Sequence, residues 1–368
     1  MKLIILKTNL LEALGSIERA IGENLNLPIL KNFLIKALDG KITFMSTNLE
    51  IAVQHETSGK VIDEGEAAVP FSVFNSVVRN LSAERVTIEK KGTKILISSD
   101  NYEGFIQDED PKEFPIIPKI SNLNKSLKIR TEILKDALKN TSVSVQYSTI
   151  RPEISGVYVN KSDEGLIFVG TDSFRLTEIK VLSSAFSSET GDFSIIIPIK
   201  TVQEVVKMFN GADELSVFVD SNQVLFETEK EKIISRIIDG NFPDYKAVIP
   251  KSFKTEVSLE KDEFLNAIRL VSTFSGKAND VNLKSGEGGK FLEIFSSDSS
   301  LGEGRYKVPA KIKGEDFSVI FNWRYLLDGL KIYKNQNIDL GVNSSDKPAQ
   351  IQDQKDKGVS YVVMPIKG

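Results

Sequence analysis

Cysteine is absent from the 368 residues. That excludes disulfides, thiolate nucleophiles and cysteine-ligated zinc or iron–sulfur sites. Histidine occurs once, as His55, so no multi-histidine metal site can form and one candidate base remains for a Ser–His–Asp arrangement. His55 sits in the alternating run Ile51 to Thr57, which reads as a half-buried strand. A histidine on a strand surface is the simpler reading there. Long hydrophobic runs are also missing. The first seven residues hold a lysine and only four consecutive apolar residues, Leu3 to Leu6. A signal peptide needs a longer apolar stretch and a small-residue cleavage site. No run approaches the ~18 apolar residues of a membrane span. A cytoplasmic chain with no membrane partner is expected. An excess of positive charge is lacking too. Lys plus Arg number 47 against 51 Asp plus Glu, a net of −4, which argues against a conventional tight nucleic-acid binder. With 40% hydrophobic and 27% charged residues the composition is ordinary globular, and the length predicts two or three domains.

What is present is a threefold internal repeat, with a whole domain as the unit. Leu10-Leu11-Glu12-Ala13-Leu14 returns as Leu134-Lys135-Asp136-Ala137-Leu138 and as Leu265-Asn266-Ala267-Ile268. Each follows polar, cap-like residues (Thr8-Asn9, Thr131-Glu132, Lys261-Asp262), as a helix beginning just after a strand would. Thr43 to Asn48 resembles Ile167 to Asp172 and Glu293 to Asp298. A second helix follows Val69-Pro70, Ile197-Pro198 and Phe321-Asn322, and proline suits a first helical turn. Phe114-Pro115, Phe242-Pro243 and Met364-Pro365 close the three units. Four landmarks in one order at near-constant spacing are not chance.

Between the helices lie short alternating strands, such as Val86 to Glu89, Lys94 to Ile97, Leu215 to Val219 and Gln223 to Phe226. Asp39-Gly40, Lys91-Gly92 and Ser221-Asn222 punctuate them as turns. Each unit has many strands and two helices, which predicts an α+β class with helices on antiparallel sheets. The units run over 1–120, 121–250 and 251–368, with joints near Asp108 to Lys112 and Pro250 to Ser252.

The helices carry cations beside their apolar stripes. The first helices have Arg19, Lys135, Lys139 and Arg269; the second have Arg79, Lys200, Lys207, Arg324, Lys331 and Lys334. Glu204 and Asp328 share these helices, so each face alone reads as an ordinary solvated surface. Enzymatic readings are weak. Gly286 to Lys290 lacks P-loop spacing and reads as a hairpin. Thr171-Asp172-Ser173 has no histidine near it in sequence, and Asp108 to Asp110 reads as a solvated turn.

Four longer motifs carry a family resemblance: Ser235 to Pro250, Gly170 to Glu178, Asn24 to Ile35, and Tyr361 to Gly368. They resemble the bacterial DNA polymerase III beta subunit family, the sliding clamps, in order and over the whole chain. The resemblance implies three repeated DNA-clamp domains per chain and a head-to-tail homodimer closing a six-domain ring. Twelve helices ~8–10 Å apart give a circumference of ~100–120 Å. Less a helix radius of ~5 Å on each side, that leaves a bore of about 22–28 Å, which passes duplex DNA. Such a collar holds double-stranded DNA by enclosure, without sequence preference. The resemblance implies a non-catalytic processivity factor with no cofactor. Its protein partners are the polymerase III catalytic subunit, the clamp loader and other proteins bearing short clamp-binding motifs.

The resemblance also implies site residues. A partner-peptide pocket between the second and third domains would be formed by Ile154, Thr171, Ser173, Phe174, Arg175, Leu176, Pro243, Val248, Asn322, Tyr325, Val362, Met364 and Pro365, with Ile366 nearby. Leu176, Val248, Val362 and Met364 supply the apolar socket, and Arg175 would orient the peptide. Phe174 stands where a histidine is common, and Ala247 where some relatives have arginine. DNA-facing positions would be Arg19, Asn24, Arg79, Lys135, Lys139, Tyr147, Ser148, Lys200, Lys207 and Arg269. The dimer contact would pair edge strands over 101–107 and 299–307, through Phe105, Gln107, Leu301, Glu303 and Arg305, with Glu103 facing the mixed charges of the second segment.

Overall fold

The computed structural model describes residues 1–120, 125–353 and 355–367. The expected first domain boundary meets Ser121, and the closing motif ends on Gly368; both lie outside the described residues.

One order of elements occurs three times. The first set is β1 (Lys2–Leu6), α1 (Lys7–Ile17), β2 (Asn32–Leu38), β3 (Lys41–Thr47), β4 (Ile51–Thr57), β5 (Lys60–Asp63), β6 (Gly65–Pro70), α2 (Phe71–Asn80), β7 (Arg85–Lys91), β8 (Lys94–Ser99) and β9 (Tyr102–Gln107). The second is β10 (Leu127–Arg130), α3 (Thr131–Ser142), β11 (Gly156–Ser162), β12 (Gly165–Thr171), β13 (Arg175–Leu182), β14 (Phe186–Ser188), β15 (Phe193–Pro198), α4 (Ile199–Lys207), β16 (Glu214–Val219), β17 (Gln223–Glu227) and β18 (Glu231–Arg236). The third is β19 (Thr255–Glu260), α5 (Lys261–Val271), β20 (Asp280–Ser285), β21 (Phe291–Asp298), β22 (Gly302–Gly314), β23 (Ser318–Asn322), α6 (Trp323–Leu330), β24 (Asn337–Val342), β25 (Ala349–Gln352) and β26 (Val359–Val363).

The strands are paired antiparallel, and each set repeats one strand order. The first set gives β5-β1-β7-β8-β9 and β6-β2-β3-β4; the second gives β14-β10-β16-β17-β18 and β15-β11-β12-β13. The third does the same with one fewer strand, because the long β22 serves both sheets. Its residues 302–309 pair with β21 and its residues 310–314 with β19. Two seams then join sets edge to edge. β18 pairs with β4, from Glu231 opposite His55 to Ser235 opposite Ile51. β26 pairs with β13, from Val359 opposite Ile179 to Val363 opposite Arg175. Among the described residues the results are sheets of five, nine and twelve strands.

The chain accordingly divides into two compact units that follow the sheets rather than the repeats. The first unit holds residues 1–134, 186–191 and 203–237, with the five- and nine-stranded sheets; the second holds the remainder, with the twelve-stranded sheet. Each packs its own core. In the first, Phe33 meets Phe44, Phe71 and Phe74 at ring-centroid distances of 6.0, 6.1 and 5.1 Å. In the second, α5 and α6 bury Phe264, Ile268, Leu326 and Leu330 against Val257, Leu283 and Ile294. Gly329 on α6 is required by packing, since a Cβ there would lie 2.4 Å from the Tyr361 ring of β26.

Three expectations change. His55 is not on a surface: it is 1% exposed, because β4 lies inside the nine-stranded sheet with α1 against it. Asp108 is not solvated: its carboxylate accepts from the Ala68 N–H at 3.0 Å and pairs with Lys90 at 2.6 Å. Met364-Pro365 is not the counterpart of Phe242-Pro243. The Met364 N–H donates to Phe174 O (2.8 Å) as the Arg236 N–H donates to Glu50 O (3.1 Å), so Met364 matches Arg236 in register.

His55 belongs to a buried polar group at the β4–β18 seam. Its Nδ1 lies 3.1 Å from Ser16 Oγ and 3.4 Å from Glu231 Oε1, and Ser16 Oγ donates to Glu231 at 2.6 Å. Burial raises the Glu231 pKa, but the bonds from His55 and Ser16 and the charges of His55 and Arg19 outweigh it and hold it below its ordinary 4.5. A depressed carboxylate stabilises the fold above its unfolded value and loses that stabilisation as pH falls through its folded one. Glu231→Gln should therefore cost about 1–2 kcal/mol at neutral pH. The deficit should shrink below about pH 4. Urea denaturation across pH checks this; a deficit that is constant with pH would contradict it.

Candidate partner pocket, free edges and cationic positions

The turn that opens the pocket is built the same way in the first two repeats, and its Asx half recurs in the third. Thr171 Oγ1 donates to Arg175 O (2.7 Å) and accepts from the Ser173 N–H (3.1 Å), while Asp172 Oδ1 accepts from the N–H groups of Phe174 and Arg175 (both 2.9 Å). Thr47 and Asn48 make the same bonds to Leu49, Glu50 and Ile51, and Asp298 accepts from the Ser300 and Leu301 N–H groups. In the first two repeats the Thr-Asx pair holds a tight turn whose third residue has positive φ, 75° at Leu49 and 77° at Ser173. Thr171 and Asp172 are thus turn-formers, with Thr171 Oγ1 and Asp172 Oδ1 engaged by backbone.

In the second unit this turn borders a cavity of about 220 Å³ lined by Thr171, Ser173, Phe174, Arg175, Leu176, Pro243, Val248, Val362 and Met364, together with Arg151, Asp244 and Tyr245. Leu176 and Val362 face each other across the β13–β26 seam and form its buried floor. Phe174 (60% exposed) and Val248 (43%) stand open at its mouth. Tyr245 closes one wall. Burial, then the Glu178 charge, pushes its phenol up, so it remains a neutral donor. Of the other residues expected here, Ile154 is the buried last residue of a short 3₁₀ turn, Asn322 caps α6 by accepting from the Arg324 N–H (3.0 Å), and Tyr325 and Pro365 do not line the cavity.

Arg175 is committed elsewhere. Its Nε donates to Asp172 (2.9 Å), its Nη1 to Asp328 of α6 (2.6 Å), and its guanidinium lies 4.4 Å from the Tyr325 ring centroid. Burial opposes its charge. The Tyr361 hydroxyl and the Asp328 and Asp172 carboxylates outweigh that and hold it above its ordinary pKa. These bonds hold the β13 side of the pocket against α6. The exposed guanidinium at the mouth is Arg151, which donates to Ser173 Oγ (2.9 Å) and Glu153 (3.1 Å). No sequence landmark marks Arg151; its distance from the Thr171 turn is bridged only by the fold.

Among the described residues, the two edges named for dimerisation each lack a neighbour in the chain. β9 pairs only with β8, and β22 over 302–309 pairs only with β21. Phe105 and Leu301 are each 54% exposed, Glu303 and Arg305 are exposed, and Gln107 donates to Thr93 O (2.9 Å). Leu270, on α5 in the unit that carries β22, is a further exposed apolar residue at 52%.

The cations differ in availability. Arg19 pairs with Glu204 at 3.0 Å and Lys207 pairs with the same carboxylate at 3.2 Å. Arg79 lies 3.6 Å from Glu18. Lys139, Lys200 and Arg269 are exposed, as is Tyr147. Lys135 is partly buried, and the Ser148 hydroxyl accepts from the Arg151 N–H. Asn24 caps its own loop, accepting from the Asn26 N–H (2.9 Å).

Three copies of one domain, each with two helices on a pair of antiparallel sheets, define a DNA-clamp fold. Family models agree in detail. The N-terminal, central and C-terminal domains of the DNA polymerase III beta subunit match residues 1–118, 128–244 and 246–367. The chain belongs to the DNA polymerase III beta subunit family. It is 28% identical to the beta sliding clamp of Bacillus subtilis over the whole of both chains, and 26% identical to that of Chlamydia pneumoniae over 100% of this chain and 99% of that one. The crystal structure of the B. subtilis DNA polymerase sliding clamp superposes with a TM-score of 0.94 at 25% identity, covering 100% and 99% of the two chains. The beta subunit of Pseudomonas aeruginosa shares the fold, with a TM-score of 0.94 at 20% identity. Among the described residues no helix is long and apolar enough to cross a membrane.

Proposed function

We propose that the chain is a sliding clamp. It is a non-catalytic processivity factor that encircles duplex DNA as a head-to-tail dimer in the cytoplasm. It tethers the replicative polymerase, its clamp loader and other motif-bearing proteins through the pocket at the β13–β26 seam. The domains are 1–120, 121–250 and 251–368. The observation that carries the reading is the pair of unfilled edges. β18 completes β4 and β26 completes β13, so the same rule leaves β9 to complete β22 of a second copy. In the repeat, Gln107 corresponds to Arg236 and Leu301 to Arg175 and Ile51. Carrying the register of the two seams to this third pair sets Gln107 opposite Ser300, Ile106 opposite Leu301 and Phe105 opposite Gly302. Gly302 offers no side chain there, and the Phe105 ring would pack beside Phe274, whose ring lies 3.8 Å from where a Cβ at Gly302 would stand. Glu303 and Arg305 then oppose Gly104 and Tyr102, so the two charges need no ionic partner on β9.

DNA lies against helix faces that present exposed cations at Lys139, Lys200 and Arg269. Arg19 and Lys207 contribute less, being held by Glu204. Contacts of this kind are weak, salt-dependent and sequence-blind, as sliding requires. The dimer, loaded on nicked circular duplex by a clamp loader, should co-elute with that DNA and be lost after linearisation. Equal retention on both forms would contradict enclosure.

The pocket accepts an apolar peptide anchor over Leu176, Val362 and Met364. Arg151 and the rim of Phe174 fix the direction of the chain. Leu176→Ala and Met364→Ala should each weaken partner peptides by about 1–3 kcal/mol. Calorimetry with a polymerase-derived peptide reads this, and unchanged affinity would place the pocket elsewhere.

A further inference from the structure

A larger groove lies at the other seam. On the nine-stranded sheet, Leu34, Met45, Leu225 and Ile234 form a floor beneath the segment 111–120, enclosing about 670 Å³. It sits on the face that corresponds to the peptide pocket: Ile234 occupies in β18 the register position that Val362 occupies in β26. The difference in volume has a side-chain cause. At the β13–β26 seam Tyr158 stacks on Phe242 at 4.8 Å, and Tyr245 packs beside them. At the β4–β18 seam Leu34 stands at the position of Tyr158, and Phe114 packs with Leu34 and Ile117 instead of two tyrosines. Aliphatic side chains leave unfilled the space that the rings occupy.

The rim of this groove is basic. Lys36, Lys112, Lys119 and Lys232 line it; Lys36 pairs with Glu66 (3.2 Å) and Lys232 with Glu227, so Lys112 and Lys119 carry its positive charge, in a chain whose net charge is −4. Lys112 and Lys119 are exposed, and Ile116 beside them is 94% exposed. An apolar floor ringed by ammonium groups matches a peptide with apolar anchors between carboxylates, with steering by the positive rim.

We propose that this groove is a second peptide-docking site, selective for acidic segments with a central apolar pair. The inference borrows from the proposed function only the reading of the corresponding pocket; it does not depend on ring closure. The test uses the full chain and a fluorescein-labelled peptide with a central Leu-Phe pair flanked on both sides by aspartates. Fluorescence anisotropy reads its binding to the wild type, to Leu176→Ala/Met364→Ala, and to Lys112→Glu/Lys119→Glu. Both lysines are exposed, so their reversal spares the fold. Binding should survive Leu176→Ala/Met364→Ala, and Lys112→Glu/Lys119→Glu should then weaken it at least tenfold in that background. A control peptide with lysines in place of the aspartates should bind at least tenfold more weakly. Loss of all binding in Leu176→Ala/Met364→Ala, or indifference to the lysine reversal, would overturn the proposal. So would a mass above the dimer that Ile116→Asp abolishes, since a further copy would then cover the groove. A peptide that binds equally to wild type and Leu176→Ala/Met364→Ala but responds to the lysines leaves this site standing and tells against the pocket reading.

Discussion

A chain carrying Phe105→Arg and Leu301→Asp should sediment at 40.9 kDa where the unaltered chain sediments at twice that mass. Both positions are more than half exposed in the protomer, so the substitutions leave its core untouched. In the paired edge they replace two apolar contacts with charges that the neighbouring strand desolvates. Central apolar residues of an interface can each contribute about 2 kcal/mol or more. A loss near 3 kcal/mol raises the dissociation constant about a hundredfold. Sedimentation equilibrium at micromolar concentration separates the outcomes, and a persistent dimer would refute edge pairing here. The register has its own check, made clean by the absence of cysteine. Ile106→Cys combined with Leu301→Cys should give an oxidised dimer that survives denaturing electrophoresis until it is reduced. Directly opposed residues bring their Cβ atoms within disulfide reach. A register offset by one residue would send the two thiols to opposite faces of the sheet, and no cross-link would form.

Arg175→Met should be the most destabilising single change at the pocket, by about 3–5 kcal/mol in urea denaturation of the full chain. The Asp172 side chain is only 2% exposed, and its charge would lose its guanidinium partner. Asp328 on α6 would lose the same partner, and the Tyr325 ring its cation. Two backbone N–H groups still reach Asp172, so the turn itself survives. A loss below about 1 kcal/mol would show that the cluster is not a structural joint. Asp328→Asn separates positioning from direct recognition. If Arg175 holds α6 to β13, that variant lowers stability and leaves peptide binding weaker or unchanged. Tighter peptide binding would instead mean that a released Arg175 engages the ligand.

The three repeats are legible in the sequence because their landmarks are local. A Thr/Ser-Asx turn, a proline ahead of a helix and an apolar helical stripe each encode their own geometry within a few residues. The apolar pocket residues Leu176, Val362 and Met364 become legible through motif resemblance, since they come together only when β26 reaches β13. The seams themselves are not readable. Nothing in the alternation of Ile51 to Thr57 distinguishes an edge strand from one buried inside a nine-stranded sheet, and for that reason the pattern puts His55 on a surface. The role of Arg175 is hidden similarly, because Asp328 lies 153 residues away. The groove at the β4–β18 seam depends on Leu34 and Ile117 standing where the next seam has tyrosines. That contrast has meaning only after the strand registers are aligned.

The seams β4–β18 and β13–β26 join strands of one chain, whereas in the proposed dimer β9 and the 302–309 half of β22 join two chains. Rejoining a parted intrachain seam is a first-order event with a rate independent of dilution. Rejoining the third seam is second order once the copies have separated. In that dimer one hydrogen-bonding pattern therefore gives two joints that ignore concentration and one latch whose closure concentration sets.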